Sequence, residues 1–151
     1  MATRTLTLAD EAATRALGRR LAGLLQVGDT VRLFGDLGAG KTTLARAVIE
    51  ALTGERDVPS PTYTLVQTYE LDGGEVLTHA DLYRLEDEAE IDELGLDEAL
   101  EFGFALIEWP DRAPGLAPSD RLDLNLRETR TGGRDVAVTG HGRWESRIDA
   151  L

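Results

Sequence analysis

Gly35-Asp36-Leu37-Gly38-Ala39-Gly40-Lys41-Thr42 fits the pattern G-x-x-x-x-G-K-S/T, a phosphate-binding loop entered from a strand and left through a helix. Glycines at 35, 38 and 40 permit backbone angles that a side chain would forbid, so successive N–H groups can point at one anion. The helix that follows adds its positive end, worth roughly 0.3–2 kcal/mol per favourable charge. Lys41 is the only lysine of the chain, which otherwise takes its strong positive charge from arginine. A compact ammonium suits β/γ-phosphate oxygens better than a planar guanidinium fork, and the Thr42 hydroxyl suits Mg²⁺. A chance glycine-rich turn is the plain alternative, and the flanks argue against it. Upstream, Thr30-Val31-Arg32-Leu33-Phe34 reads as a strand. Downstream, Leu44, Ala47, Val48, Ala51 and Leu52 share one helical face that stops at Gly54. The candidate phosphate-binding set is Asp36, Leu37, Gly38, Ala39, Gly40, Lys41, Thr42 and Thr43.

Working outward, Asp10 caps a predicted helix with Ala13, Leu17, Leu21 and Leu24 on one face, ended by Gly28-Asp29. Residues 55–62, with Pro59 and Pro61, read as an ordered loop. Tyr63 to Glu70 and Glu75 to Asp81 are strand-like around the turn Asp72-Gly73-Gly74, and so short a connection makes them antiparallel. An acidic helical stretch from Glu86 through Leu100 is interrupted at Gly95, and Phe104 to Ile107 reads as a buried strand. Arg121 to Arg127 and Arg134 to Thr139 form a second hairpin around Gly132-Gly133, and Trp144 to Leu151 is a short terminal helix or a frayed end. The expected fold is one P-loop NTPase-like α/β domain over residues 1–151, its sheet mixed parallel and antiparallel and flanked by helices.

Composition narrows the chemistry. A chain of 151 residues can bury roughly 68–70% of its unfolded surface. With 28 acidic against 16 basic residues the net charge is −12, which repels a phosphate backbone and argues against stand-alone nucleic-acid binding. The absence of cysteine removes disulfides, thiolate catalysis and cysteine metal sites, and His79 and His141 are too few for a histidine site. No segment has the apolar run of a signal peptide or a membrane span, so a soluble cytoplasmic protein is expected.

ATP arrives with Mg²⁺, and P-loop enzymes hold that ion with a carboxylate at a neighbouring strand end. Asp81 closes one predicted strand and Glu108 follows another, and either is a candidate for metal binding or for polarising the attacking water. An ordinary solvated acid is the alternative for each. Glu108 has the stronger case because four apolar residues bury the strand leading to it. Thr62 could bring a hydroxyl to the γ-phosphate from a closing loop, as GTPase switch loops do, or sit in a proline-stiffened turn. Arg84 is a weaker candidate for charge stabilisation, with a salt bridge to Glu86 or Asp87 as the bland reading. His79 reads as a hydrogen-bonded structural residue. The guanine-reading sequence Asn-Lys-x-Asp cannot exist here, since Asn125 and Lys41 are the only residues of their types, so ATP is the expected nucleotide.

These blocks together resemble the TsaE family, also called YjeE, of small bacterial P-loop ATPases needed for threonylcarbamoyladenosine in tRNA. The resemblance rests on residues 35–43, on Ser60-Pro61-Thr62-Tyr63-Thr64-Leu65-Val66, on His79-Ala80-Asp81-Leu82-Tyr83-Arg84-Leu85 and on Ile107-Glu108-Trp109-Pro110. It implies a switch-I-like role for the block holding Thr62 and a switch-II-like role for the block holding Asp81. It also implies that Thr42 ligates Mg²⁺, that Glu108 lies near Mg²⁺ and catalysis, and that Trp109 lies close to the nucleotide. Glu11, Gly133 and Arg134 are implied to flank the adenosine. The resemblance further implies action on a complex of TsaD, which carries the transferase chemistry, and TsaB, with tRNA reached only through those partners and no membrane involved. Two other readings compete with a partner-stimulated ATPase: a small-molecule P-loop kinase, and a non-catalytic nucleotide sensor. The acidic stretch after Asp81 is poor for an anionic kinase acceptor.

Overall fold

The computed structural model describes residues 1–36, 38–56, 58 and 65–151. The P-loop flanks form as the sequence predicts: strand β2 covers Thr30–Phe34 and helix α2 covers Lys41–Thr53. Strand β1 (Ala2–Leu8) and helix α1 (Glu11–Ala22) precede them. After α2 come β3 (Val66–Glu70), β4 (Val76–Asp81), a 3-10 turn (Glu88–Leu94) and α3 (Leu96–Phe102). Then follow β5 (Gly103–Glu108), β6 (Arg121–Glu128), β7 (Arg134–His141) and the short α4 (Trp144–Arg147).

The seven strands lie in the order β1-β7-β6-β2-β5-β4-β3. β6, β2, β5 and β4 run parallel, while β3 on one side and β7 with β1 on the other pair antiparallel. This is the mixed sheet expected from the two hairpins. The strand β1 was not foreseen. Its Thr and Leu residues alternate between exposed and half-buried positions along an edge, a pattern too polar to announce itself as core.

Period-two alternation divides the core between the sheet's faces. Val31 and Leu33 of β2, Leu77 of β4 and Phe104 and Leu106 of β5 join one cluster with Leu17, Leu21, Leu44, Val48 and Ile49 of α1 and α2. Ala80, Ala105 and Ile107 point to the opposite face, where Leu82, Leu85 and Leu96 cover them. Burying each such leucine or valine contributes roughly 1.5–3 kcal/mol. Within α2 the inward set is Leu44, Ala45, Ala47, Val48 and Ile49, whereas Ala51 is exposed and Leu52 half-buried. The helix meets α1 through the face of Leu44, Ala47 and Val48, and Ala45 and Ile49 are buried on another side. Gly18 makes that approach possible, because a Cβ there would lie 2.6 Å from the Ala47 Cβ.

Just before β2 a buried carboxylate ties the C-terminal segment to the body of the domain. Asp29, fully buried, accepts from the Gln26 N–H at 2.7 Å, from Arg143 at 3.0 Å and from Arg147 at 2.8 and 3.0 Å. The terminal segment is therefore ordered, with Trp144 buried under the Arg147 guanidinium.

Candidate active site

Alternation and register assemble the site. Asp81 pairs with Glu108 across the parallel β4–β5 ladder, and both close their strands at the end where β2 delivers the P-loop. Asp81 and His79 share the parity of Leu77, and Glu108 that of Leu106, so all three side chains lie on the face covered by α2. The first turn of α2 therefore meets the end of β5. There the Thr42 hydroxyl donates to Glu108 Oε1 at 2.9 Å, and His79 Nε2 bonds Glu108 Oε2 at 2.7 Å.

The P-loop has the shape its glycines allow. Gly40 caps α2 with φ 103° and supplies no side-chain acceptor, and no acidic residue stands in the first turn. The helix's leading N–H groups are thus kept for an anion from elsewhere. Lys41 is buried, donates to the Gly35 carbonyl and to the Asp36 carbonyl at 2.9 Å, and lies 4.0 Å from the Trp109 ring centre. Burial pushes its ammonium below the usual lysine range, while Glu108, Asp111, Asp36 and Asp81 pull the other way. A desolvated cation held by carbonyl dipoles and a ring face is well prepared for a polyphosphate. Trp109 holds a left-handed backbone, φ 57°, a conformation that costs a non-glycine residue of order 1–3 kcal/mol. Its ring leans on Tyr83 at 5.0 Å.

A cleft of about 590 Å³ collects these groups. Its walls include Gly38 to Thr43, Asp81, Glu108 and Trp109, with Arg84 and Tyr83 on one side and Asp10, Glu11, Thr14, Gly132 and Arg134 on the other. Arg134 links the hairpin turn to the P-loop, donating from Nε to the Ala39 carbonyl at 2.8 Å and from Nη2 to the Gly38 carbonyl at 3.0 Å. Of the predicted residues, Gly133 does not line the cleft: it is buried against the Leu8 carbonyl, and its neighbour Gly132 lines the cleft in its place. Asp36 contributes its carbonyl to Lys41 while its side chain is exposed. Leu37 and Thr62 lie outside the described residues. Reading the sequence alone missed Tyr83, Asp10, Thr14 and the bond from His79 to Glu108. The signal for the last was present, since His79 stands two residues before Asp81 and so on its face.

The donor set fits Mg²⁺. Two neighbouring carboxylates and a hydroxyl are hard oxygen ligands. Burial pushes the Asp81 carboxyl above the usual carboxylate range, opposed by the Tyr83 N–H bonded at 3.0 Å and reinforced by Glu108. A cation between the two acids would relieve both effects.

The family model "Threonylcarbamoyl adenosine biosynthesis protein TsaE" matches residues 8–136. The chain belongs to the TsaE family. Among the relatives that carry the name tRNA threonylcarbamoyladenosine biosynthesis protein TsaE, two illustrate the match. The one from Bacillus subtilis is 38% identical over 140 residues, covering 91% of this chain and 87% of its own. The one from Streptomyces coelicolor is 42% identical over 137 residues, covering 86% and 93%. The crystal structure of Bacillus subtilis YdiB matches with a TM-score of 0.79 at 28% identity, covering 97% of this chain and 91% of that one. Among the described residues no helix is long and apolar enough to cross a membrane.

Proposed function

We propose that this TsaE-family chain is a Mg²⁺-dependent ATPase of the machinery that makes threonylcarbamoyladenosine in tRNA. It acts in the cytoplasm on a complex of TsaB and TsaD proteins rather than transferring the threonylcarbamoyl group itself. The observation that carries the reading is the contact of Thr42 with Glu108 at 2.9 Å beside the buried Lys41. A P-loop hydroxyl and a strand-end carboxylate meet there within one cleft. The net charge of −12 supports a division of labour in which the partners hold the tRNA.

In this mechanism the P-loop amides and Lys41 cradle the β- and γ-phosphates, with Lys41 moving from carbonyl acceptors to phosphate oxygens. Thr42, Asp81 and Glu108 would hold Mg²⁺, which when bound offsets negative charge on the phosphate oxygens. Glu108 orients a water or takes its proton as the water attacks the γ-phosphorus. The bond from that phosphorus to the β-phosphate oxygen breaks, releasing ADP and phosphate. Thr62 would supply a further hydroxyl to the γ-phosphate. Asp10 and Glu11, being anionic, suit ribose hydroxyls rather than phosphate, which supports the α1 end of the cleft as the adenosine side.

The test is phosphate release from Mg-ATP by the purified chain, alone and with TsaB, TsaD and tRNA, with Lys41→Ala as the blank. Slow release that rises with the partners and vanishes in the blank is expected. Tight ATP binding with no release in either condition would overturn hydrolysis and favour a nucleotide sensor.

A further inference from the structure

Glu108 is held from two elements at once. Its side chain is 2% exposed and the His79 ring 1% exposed, so bulk water is nearly excluded from the bond between them. Thr42 of α2 takes Oε1 and His79 of β4 takes Oε2. A glutamate has three side-chain torsions, and a carboxylate gripped at both oxygens has none left free. The backbone beneath it is fixed too, since the Glu108 carbonyl accepts from the Leu82 N–H at 3.0 Å.

His79 is otherwise an uneconomical choice for a buried strand. Its Nδ1 is buried and has no hydrogen-bond partner among the described residues. An unsatisfied buried polar atom is costly, and an apolar side chain such as that of Leu77 would fill the same face without it. The gain that offsets this is the bond to Glu108.

We propose that His79 is the positioning residue of the site: its Nε2–H holds Glu108 Oε2, leaving Oε1 aimed at Thr42 and the phosphate cradle. It does not line the cleft and acts only through Glu108. The consequence for turnover rests on the ATPase reading above; the bond itself does not.

Two measurements separate the two. Long-range ¹H–¹⁵N spectra of the ¹⁵N-labelled chain report the tautomer of each histidine without any turnover. With only His79 and His141 present, His141→Gln assigns the signals. His79 is expected as the Nε2–H tautomer, with a resonance that shifts in Glu108→Ala. An Nδ1–H tautomer, or indifference to Glu108→Ala, would overturn the proposal even in a protein with no ATPase activity.

The second measurement is kinetic. His79→Leu should lower kcat by ~10–100-fold, the loss typical of a removed supporting contact, while ATP affinity measured in chelator stays unchanged. His79→Gln, whose amide N–H reaches the same oxygen, should recover much of the rate. In Glu108→Ala, adding His79→Leu should cost nothing further. Full kcat in His79→Leu, or equal losses in Leu and Gln variants that melt like the parent, would overturn the positioning role. An inactive parent chain would instead count against the ATPase reading and leave the spectra to decide the bond.

Discussion

Arg134 offers the sharpest test of how the P-loop is held, because it touches the loop only at backbone carbonyls. Its Nε reaches the Ala39 carbonyl at 2.8 Å and its Nη2 the Gly38 carbonyl at 3.0 Å. Nη1 is anchored on the Gly132 and Gly133 carbonyls of its own turn. A hydrogen bond from a charged group contributes about 1.5–3 kcal/mol when shielded. The Nη2 contact is solvent-exposed and is discounted accordingly, so the pair holds the loop by about 2 kcal/mol. If Arg134→Met releases the loop, apparent nucleotide affinity falls by the lost fraction of competent conformer, at most about 30-fold for that energy. Arg134→Lys keeps the charge and loses the fork, so it separates geometry from simple attraction to phosphate. Titration of ATP against Trp109 fluorescence reads the affinity, since that ring sits on Lys41. Both variants should bind weakly with melting temperatures near the parent's. Parental affinity in Arg134→Met would refute the tether, and parental affinity in Arg134→Lys alone would reduce Arg134 to a source of charge.

Three further outcomes are expected. Asp29→Ala strands two guanidinium groups against a fully buried position, which should cost about 3–5 kcal/mol, or about 6–20 °C in a domain of this size, read by urea and thermal unfolding. Gly103→Ala places a Cβ 1.7 Å from the Val76 carbonyl oxygen on the neighbouring strand, so it should disrupt the β4–β5 ladder and leave little folded protein in circular dichroism. Burial raises the Asp81 carboxyl, so its protonated form favours folding at low pH and that contribution is lost as pH rises through the folded value. Asp81→Asn, which keeps an acceptor for the Tyr83 N–H, should therefore raise the melting temperature in chelator at about pH 7.5, with a smaller gain near pH 4. The same substitution should abolish Mg²⁺-dependent phosphate release.

The parts of the fold legible in the sequence were those with strong local signals. Gly-x-x-x-x-Gly-Lys-Thr has a fixed mechanical meaning, Phe104 to Ile107 is too apolar to be anything but buried, and Asp72-Gly73-Gly74 forces a hairpin. What escaped was set by pairing between distant segments. β1 is legible only once β7 is known to need a partner, because its own residues are threonine, arginine and leucine in alternation. The Asp29 cluster could not be foreseen, since Arg143 and Arg147 come from the far end of the chain. The same holds in the site. Asp81 and Glu108 each stand at a readable strand end, but their adjacency is a matter of register; alternation puts His79 on the face of Asp81, and only the register brings that face to Glu108.

The antiparallel flank explains why a TsaE-family cleft draws residues from so much of the chain. In an open parallel sheet, ligands settle outside the carboxyl ends of the strands, which here gives the P-loop after β2, Asp81 after β4 and Glu108 after β5. β6 runs parallel to β2, so its turn of residues 129–133 emerges at that same end. β7 then departs antiparallel, placing Arg134 at its start beside the P-loop. β1 pairs antiparallel with β7 so that Leu8 stands opposite Arg134, and the chain passes directly into Asp10, Glu11 and α1 at the cleft. One added hairpin and one edge strand thus bring a guanidinium and two carboxylates to the rim without lengthening any loop. The consequence is a coupling. Arg134 holds two P-loop carbonyls and also begins the strand that β1 pairs with along its whole length. A variant that weakens the β1–β7 ladder, such as Leu6→Ala, should therefore lower nucleotide affinity although Leu6 lies outside the cleft. Unchanged affinity in that variant would show that the rim is fixed by the hairpin alone.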